Sequence, residues 1–309
     1  MEIPYYFNTF LSIIFEKSPL QKKRLSSFIS SKGDEYLLEA EDFSSQYASY
    51  LKSQNIPISS AVDCYIKMCS DMVNSQLTFM RTGKYPRGDA DEAYQDIYDN
   101  ENEMKSYMIG LALSQFLWPT HYKMYTFLKR YIHKYVGSIN NYLEIGPGHG
   151  LFLKAAIDLL KNKDTNFMAI DISKTSINIT KSIIDYFYDK GLAKIEYRVM
   201  NMLDVELSNR YDFITMGEVL EHVHHPDCLL KKLRQLLYAT GRAFISTCVD
   251  CPTIDHVYHF KSIEQIRNMV QACGLEIINE KVLPVENLPM EQIIKQKITI
   301  NYCAIIERA

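Results

Sequence analysis

The sequence predicts an α/β protein in which an all-α N-terminal domain precedes a doubly wound, mostly parallel seven-stranded sheet. Two observations support this fold class. Up to about residue 136, apolar residues recur at helical spacing without strand-like alternation. From about residue 139, short apolar runs alternate with amphipathic segments, which is the pattern of parallel strands joined by helices. We therefore expect two domains, residues 1–136 and residues 137–309.

The first half predicts four helices. The helical-period runs lie around residues 4–16, 35–52, 57–80 and 103–136. Pro119 is expected to break or kink the last of them, because proline cannot donate the intrahelical hydrogen bond. The polar segment 82–103 is a candidate for a mobile lid, and its acids, Tyr94 and Tyr98 are candidates for substrate contacts, but nothing in the sequence shows this and its role stays open.

The second half predicts seven strands. In chain order they are NYLEIG, NFMAIDIS, KIEYRVMNM, YDFITMGEV, GRAFISTCV, LEIINEKVLPV and KITINYCAIIER. Ser173 is expected to cap the helix after the second strand, and Pro226 precedes the helix DCLLKKLRQLLYATG. Only the short link ENLPMEQIIKQ separates the last two strands, so we expect these two to be antiparallel.

Composition restricts the class of protein. The 309 residues are 47% apolar and 23% charged, and the net charge of -3 offers no basic surface for nucleic acid or for an anionic membrane. No apolar run is long enough to span a bilayer, and no basic residues precede the apolar N-terminal run, so a signal peptide is disfavoured. Seven cysteines without a regular framework predict free thiols and a cytoplasmic location.

The loop after the first strand, LEIGPGHG, is where a sheet of this kind binds its ligand. Its glycines, Gly146, Gly148 and Gly150, are spaced G-x-G-x-G, whereas a nicotinamide site has G-x-G-x-x-G and would need a glycine at Leu151. A carboxylate at Glu144 would repel a pyrophosphate and would suit a cofactor with a cationic amine. A nicotinamide dehydrogenase is therefore disfavoured.

LEIGPGHG resembles the first motif of class I S-adenosylmethionine-dependent methyltransferases, and the similarity extends over residues 139–309. The segment YDFITMGEVLEHVHHP resembles the fourth motif, especially that of ubiquinone-pathway O-methyltransferases. The resemblance implies a Rossmann-like methyltransferase core with S-adenosylmethionine as its cofactor. The implied cofactor-binding residues are Glu144, Gly146, Pro147, Gly148, Gly150, Asp171, Ile172, Met202, Leu203, Asp204, Gly217 and Glu218.

The resemblance also implies individual roles at the cofactor. Asp171 would accept both ribose hydroxyls, and Asp204 would lie near the adenine amino group, with Met202 or Leu203 on the ring. Each residue type also has a structural interpretation. The glycines are compatible with a tight turn, Asp171 with a helix-capping acid and Asp204 with a turn residue.

Methyl transfer to a phenol needs help with the proton, since a free phenol has a pKa of about 10. Candidate groups lie in EVLEHVHH after the fourth strand and in DHVYHF after the fifth strand. Neighbouring parallel strands end at the same edge of the sheet, so we expect the two segments to converge. Glu221, His222 and His256 are the predicted catalytic residues.

Glu218, Glu221 and His222 form E-x-x-E-H, which resembles the metal site of RNA 3′-terminal 2′-O-methyltransferases. That site has a further histidine, for which His256 and His259 are candidates, and the predicted metal set is Glu218, Glu221, His222 and His259. Such ligands suit Mg, Mn or Zn. The alternative is a metal-free loop, because the same segment is common in metal-free members of this superfamily.

The sequence CVDC at 248–251 has the C-x-x-C spacing of a zinc half-site but no second pair. We therefore interpret all seven cysteines as core or incidental thiols.

In similar small-molecule methyltransferases, helices ahead of the first strand cover the acceptor. Trp118, Tyr122 and Tyr125 have the spacing of one helix face and are candidates for an aromatic wall. The predicted substrate-binding residues are Trp118, His121, Tyr122 and Tyr258. The alternative is ordinary core packing of these rings.

The sequence therefore predicts an S-adenosylmethionine-dependent methyltransferase that acts on a small natural-product or quinone-like acceptor, at oxygen. Metal-assisted RNA 2′-O-methylation, methylation of nitrogen or carbon, and a non-catalytic binding module remain alternatives. A homodimer is compatible with this prediction, and we expect neither membrane insertion nor nucleic-acid binding.

Overall fold

The computed structural model describes residues 3–86, 100–161, 163–188, 194–208 and 210–309. Most of the expected lid segment 82–103, including Tyr94 and Tyr98, lies outside the described residues.

Helices occupy the described part of the chain before the sheet. They are α1 (Tyr5–Lys17), α2 (Pro19–Ser30), α3 (Asp34–Ser53), α4 (Ile58–Thr82), α5 (Glu101–Leu117) and α6 (Pro119–Tyr135). The sequence analysis missed α2, because its polar residues hide the helical period. Only Leu25, Phe28 and Ile29 of this helix are buried, so tertiary packing supplies most of its stability.

Pro119 separates two helices, as predicted. Trp118 ends α5 in an extended conformation, with φ −109° and ψ 127°, and Pro119 then takes the first position of α6. A proline is tolerated there because the first turn has no intrahelical acceptor for its missing N–H group. The break places Trp118 between the helices and not on one face with Tyr122 and Tyr125.

The sheet has seven strands in the order β3-β2-β1-β4-β5-β7-β6. The strands are β1 (Asn141–Ile145), β2 (Asn166–Asp171), β3 (Lys194–Val199), β4 (Tyr211–Gly217), β5 (Leu237–Val249), β6 (Leu275–Pro284) and β7 (Ile300–Arg308). The helices between them are α7 (Leu151–Leu160), α8 (Lys174–Phe187), α9 (Pro226–Leu236), α10 (Ile263–Ala272) and α11 (Met290–Lys295). Strands β1 to β5 pair in parallel, and β7 is antiparallel to both β5 and β6. The predicted fold class and the antiparallel end of the sheet are confirmed.

One predicted helix is too long. The helix after Pro226 ends at Leu236, and β5 begins at once with Leu237, which pairs with Tyr211 of β4. At this point the hydrogen bonds of the sheet determine the backbone conformation, although the apolar residues are spaced as in a helix. Gly241 permits the bend, since a Cβ atom there would lie 2.7 Å from the carbonyl oxygen of Tyr211.

The two faces of the sheet have different partners. On one face, buried residues of the sheet such as Phe244 share a hydrophobic core with the N-terminal helices and α7. On the other face, residues such as Ile245 pack with α9 and α10. The N-terminal helices and the sheet therefore bury the same apolar surface and are expected to unfold together.

This shared core gives a stability prediction. Ile132→Val on α6 and Ile305→Val on β7 each remove one methylene group from a fully buried side chain of this core. Each should lower the free energy of unfolding by roughly 0.5–1.5 kcal/mol. Both should shift the same single transition in urea, followed by circular dichroism. Two separate transitions, each shifted by only one of the variants, would contradict a common core.

Among the described residues, none of the helices combines the length and apolar character that crossing a bilayer requires.

Candidate functional site

A cavity of about 1230 Å³ lies at the carboxyl ends of the parallel strands. It extends from the glycine loop after β1, past Asp171, to the segments that follow β4 and β5. Residues of α4, α5 and α6 complete its wall. The two segments that the sequence predicted to converge, at 218–225 and 255–260, do meet there.

The glycine loop borders the cavity at Gly146 and Gly148, whose φ angles are +65° and +53°. L side chains rarely adopt this conformation, and a Cβ atom on Gly148 would lie 3.2 Å from the sulfur of Met108 on α5. Gly150 has a different role. It begins α7 and packs against Thr180, so it lies behind the cavity wall and not in it.

Asp171 lies at the end of β2 and lines the cavity. Its carboxylate accepts a hydrogen bond from the backbone N–H of Ser173 at 2.8 Å and another from the hydroxyl of Ser176 at 2.5 Å. Burial raises the pKa of Asp171, while these two bonds lower it. A carboxylate offers about four lone-pair sites, so acceptor capacity remains for a ligand.

The segment after β3 contributes a second patch of the wall. Met202 and Leu203 line the cavity, beside Ile172. Asn201 lines it too, and its side-chain oxygen accepts a hydrogen bond from the N–H of Leu203 at 2.9 Å. The sequence analysis did not single out Asn201. Asp204 is exposed and lies outside the cavity, where a turn residue would be expected.

Glu144 is only 2% exposed, and it reaches the cavity from the same face of β1 as Tyr142. The hydroxyl of Tyr142 donates to Oε2 of Glu144 at 2.8 Å and lies 2.8 Å from Oγ1 of Thr215. Burial raises the pKa of Glu144 to about 8, against the opposing effect of the Tyr142 hydrogen bond. Burial therefore favours the neutral form of this carboxyl group over the carboxylate.

Gly217 ends β4, Glu218 follows it, and both line the cavity. Glu218 has a φ of +51°, and its N–H donates to both the carbonyl oxygen and the hydroxyl of Ser246. Burial, followed by the neighbouring Glu221, raises its pKa well above the ordinary value. Within the described part of the chain, the buried Oε1 atom of Glu218 has no hydrogen-bond partner.

His222 lines the cavity next to Asp255. Its Nδ1 atom lies 3.1 Å from the backbone oxygen of Asp255 and 3.5 Å from the carboxylate oxygen Oδ2. A carbonyl oxygen can only accept, so Nδ1 carries the hydrogen and Nε2 is the basic nitrogen of the neutral ring. Asp255 is buried and also accepts from the hydroxyl of Thr253 at 2.7 Å. The sequence analysis passed over Asp255, although it directly precedes a candidate histidine.

Glu221 is fully buried and lies behind the cavity wall. Its Oε2 atom accepts a hydrogen bond from Thr247 at 2.7 Å, and its backbone oxygen accepts from Val257 and Tyr258. Oε1 lies 4.0 Å from Nε2 of His256 and lacks a hydrogen-bond partner among the residues that the structure describes. Glu221 can act on an acceptor only through its neighbours.

His256 lines the cavity beside two cysteines. Its Nδ1 atom lies 2.7 Å from the carbonyl oxygen of Cys251 and 3.7 Å from the sulfur of Cys248. Burial lowers the pKa of His256, but Cys251, Glu221 and Asp255 outweigh it and raise the pKa overall. The hydrogen bond from Cys248, together with His256, lowers the pKa of the Cys251 thiol.

His259 does not join this group. Its Nε2 atom pairs with Oδ1 of Asp250 at 2.7 Å, and its ring packs against Tyr85 and Phe79. Asp250 has a φ of +48° and its N–H donates to the carbonyl oxygen of Phe260, which closes the loop 250–260. His259 thus stabilises this loop. It was the predicted fourth metal ligand, and it does not lie with the other three.

The described residues include three groups of potential metal ligands. Within each group, the ligand atoms lie within 4.8 Å of one another. The groups are Cys248, Cys251 and His256; Glu221, His222 and His256; and Glu218, Glu221 and Cys248. Of the predicted ligands, Glu221 and His222 share one group with His256, and Glu218 shares another with Glu221 and Cys248, so among the described residues no group holds Glu218, Glu221 and His222 together. The cysteines belong to the same cluster, which the sequence analysis did not anticipate.

The four predicted substrate residues divide into two pairs. Trp118 and His121 line the cavity. Trp118 donates its indole N–H to the Tyr65 hydroxyl, and burial lowers the pKa of His121 to about 3, with a smaller contribution from His149. Tyr122 and Tyr258 lie outside the cavity wall. The Tyr122 hydroxyl donates to Glu39 at 2.8 Å, and the Tyr258 ring packs on Phe260.

A doubly wound sheet with a glycine loop after β1, an acid at the end of β2 and one cavity over both is the arrangement in which α/β proteins typically bind a ligand. A family model described as a methyltransferase domain matches residues 120–280, slightly more than half of the chain. The protein therefore belongs to this methyltransferase-domain family.

Curated relatives support the same class. The chain is 26% identical over 121 residues to the ubiquinone biosynthesis O-methyltransferase of Leptothrix cholodnii, covering 38% of this chain and 48% of that protein. It is 30% identical over 105 residues to the enzyme of the same name from Pelagibacter ubique, covering 34% and 40%. The matched stretch thus spans less than half of either relative.

Among solved structures, the mitomycin 7-O-methyltransferase MmcR is similar with a TM-score of 0.56 and 12% identity. The similarity covers 82% of this chain and 72% of that chain. At this identity the comparison supports the fold alone.

Proposed function

We propose that the protein transfers the methyl group of S-adenosylmethionine to an oxygen atom of a small, largely apolar acceptor. The observation that carries this proposal is the single cavity that joins the glycine loop and Asp171 to His222 and the helical wall. Methyl transfer is an in-line displacement, so the enzyme must hold cofactor and acceptor end to end and exclude water. One cavity of about 1230 Å³ has room for both.

The cofactor would occupy the sheet side of the cavity. Gly146 and Gly148 allow close approach of its methionine part, Asp171 would accept the ribose hydroxyls, and Met202 and Leu203 would contact the adenine. This assignment uses residues that line the wall. It leaves out Asp204 and gives Gly150 a packing role.

The acceptor would lie against the helices. Apolar side chains line this side of the cavity: Met72, Met104, Met108, Leu111, Trp118 and Met124. Methionine is flexible and polarizable, so such a wall adapts to flat or irregular apolar molecules. A natural-product or quinone-like acceptor fits this chemistry better than a polyanionic nucleic acid.

His222 is the best-placed general base. Asp255 fixes its ring so that Nε2 can take the proton from a hydroxyl as the methyl group arrives. Of the three predicted catalytic residues, Glu221 and His256 lie behind and beside His222 and form the support for it. The names of the curated relatives favour oxygen over nitrogen or carbon as the methylated atom.

The proposal is tested with S-adenosylmethionine labelled in its methyl group, incubated with the protein and a cell extract. We expect label in the small-molecule fraction, and in simple phenols or catechols added as probes. Fragmentation of the product in mass spectrometry distinguishes a methyl ether from a methylamine. Label that appears only in RNA or protein would overturn the small-molecule assignment.

Cofactor binding gives a separate prediction. Asp171→Ala removes a charge-assisted hydrogen bond and should weaken S-adenosylhomocysteine binding by roughly 1.5–3 kcal/mol, which is about a 10- to 150-fold rise in Kd by calorimetry.

Two controls separate the possible causes of that loss. Ser176→Ala breaks the local bond to Asp171 but keeps the carboxylate, and should bind with little change. Asp204→Asn alters an exposed acid outside the cavity and should also bind normally. Equal losses in Asp171→Ala and Ser176→Ala would show that the turn matters and not the ribose contact.

A further inference from the structure

The end of β5 and the loop that follows it bring three potential ligands of a soft metal to one place. The sulfur atoms of Cys248 and Cys251 and a ring nitrogen of His256 all lie within 4.8 Å of one another. Cys248 is the penultimate residue of β5, and the left-handed conformation of Asp250 turns the chain before Cys251. The turn therefore brings Cys251 back towards Cys248. His256 follows five residues later in the chain and lies beside both cysteines.

Glu221 completes the set from a different element. Its Oε1 atom is buried and lies 4.0 Å from Nε2 of His256. A carboxylate oxygen of Glu221 also lies within 4.8 Å of the sulfur of Cys248. A buried carboxylate oxygen without a hydrogen-bond partner in the described part of the chain is costly, and a cation is an effective partner. This observation is independent of the cysteine spacing.

We propose that Cys248, Cys251, His256 and Glu221 bind one zinc ion in a tetrahedral site. Thiolate and imidazole ligands select zinc over magnesium and manganese, which prefer oxygen. Zinc–sulfur and zinc–nitrogen bonds are about 2.3 and 2.0 Å long, so the ligand atoms would have to move closer together when the ion binds. Here a histidine and a glutamate stand in for the second cysteine pair that a zinc ribbon would use.

The zinc ion would join the loop 250–260 to the segment after β4. That loop carries Asp255, which holds His222, so the metal would position the general base without touching the methyl group. The site is not the one expected from E-x-x-E-H alone, because Glu218 and His222 are not among its ligands. The proposal stands independently of which acceptor the enzyme uses.

Metal content tests the proposal directly. The reduced protein is incubated with zinc, desalted and analysed by mass spectrometry for metal. One equivalent is expected in the wild type and at least tenfold weaker binding in Cys251→Ser. Cys64→Ser is the matched control, since Cys64 is also half-buried but lies outside the cluster. Cobalt in place of zinc should give the intense thiolate-to-metal charge-transfer absorption, which Cys251→Ser loses.

A second measurement needs no variant and so does not depend on folding of a mutant. All seven cysteines are free thiols, and zinc should protect Cys248 and Cys251 from alkylation while the other five react as before. Absence of zinc binding, or protection of neither cysteine, would overturn the proposal. So would a metal that Cys251→Ser retains and His222→Gln loses, because the ligands would then be carboxylates and imidazoles.

Discussion

His222→Ala should lower kcat by roughly 10²- to 10⁴-fold, the usual contribution of a positioned general base. The affinity for S-adenosylhomocysteine should stay within about twofold of wild type, because the glycine loop and Asp171 are untouched. The measurement is transfer of labelled methyl to a phenol probe at saturating cofactor. Added imidazole should restore part of the activity, since the cavity has room for a free ring next to Asp255.

His133→Ala is the control for this variant, because His133 is exposed at the end of α6, away from the cavity. It should behave like the wild type. A loss of less than about fivefold in His222→Ala, or a loss that imidazole does not relieve while cofactor binding also fails, would remove His222 from the base position.

The second large effect is the contribution of Glu144 to the pH dependence of the free energy of unfolding. Its pKa is about 8 in the folded protein, against an ordinary value of 4.5, because the carboxyl group is buried. Between these two values the folded protein holds a proton that the unfolded chain has lost. The contribution of Glu144 to stability is therefore fully present below about pH 4.5 and falls as pH rises to about 8, by on the order of 4 kcal/mol.

Glu144→Gln should remove that part of the pH dependence, because an amide keeps the hydrogen bonding and does not ionise. Denaturation in urea across the window should show a flatter profile for Glu144→Gln than for the wild type. The exposed Glu276→Gln should follow the wild type. Identical slopes in Glu144→Gln and the wild type would show that Glu144 has an ordinary pKa in the folded protein.

The same group links pH to the cofactor. A cationic amine near Glu144 would favour the ionised carboxylate, so binding at neutral pH should release a proton. Calorimetry in buffers of different ionisation enthalpy measures this release, and Glu144→Gln should abolish it.

The placement of the glycine loop, Glu144 and Asp171 at the cavity was largely predictable. The glycine spacing, Glu144 and Asp171 are local features, because each lies at the end of one strand or in the loop that follows it. The order of strands and helices then places them at one edge of the sheet. Asp204 was the exception, since a short 3-10 turn points it to solvent, and no sequence period signals that turn.

For the segments after β4 and β5, only their proximity could be predicted. The sequence indicated that the segments after β4 and β5 would meet, and they do. It did not indicate which histidine would belong to the cluster, because His256 and His259 are three residues apart in a loop without a period. The left-handed turn at Asp250 and the pairing of His259 with that residue settle the matter in the structure.

The sequence by itself determined the fold class, the glycine loop and the class of enzyme, because these depend on short-range patterns of apolar, glycine and acidic residues. Only the tertiary structure decided that the N-terminal helices share a core with the sheet, that Glu144 is buried enough to keep its proton, and that two cysteines lie with His256 and Glu221. Those properties depend on which surfaces are excluded from water when distant segments pack, and the order of residues along the chain does not specify that packing locally.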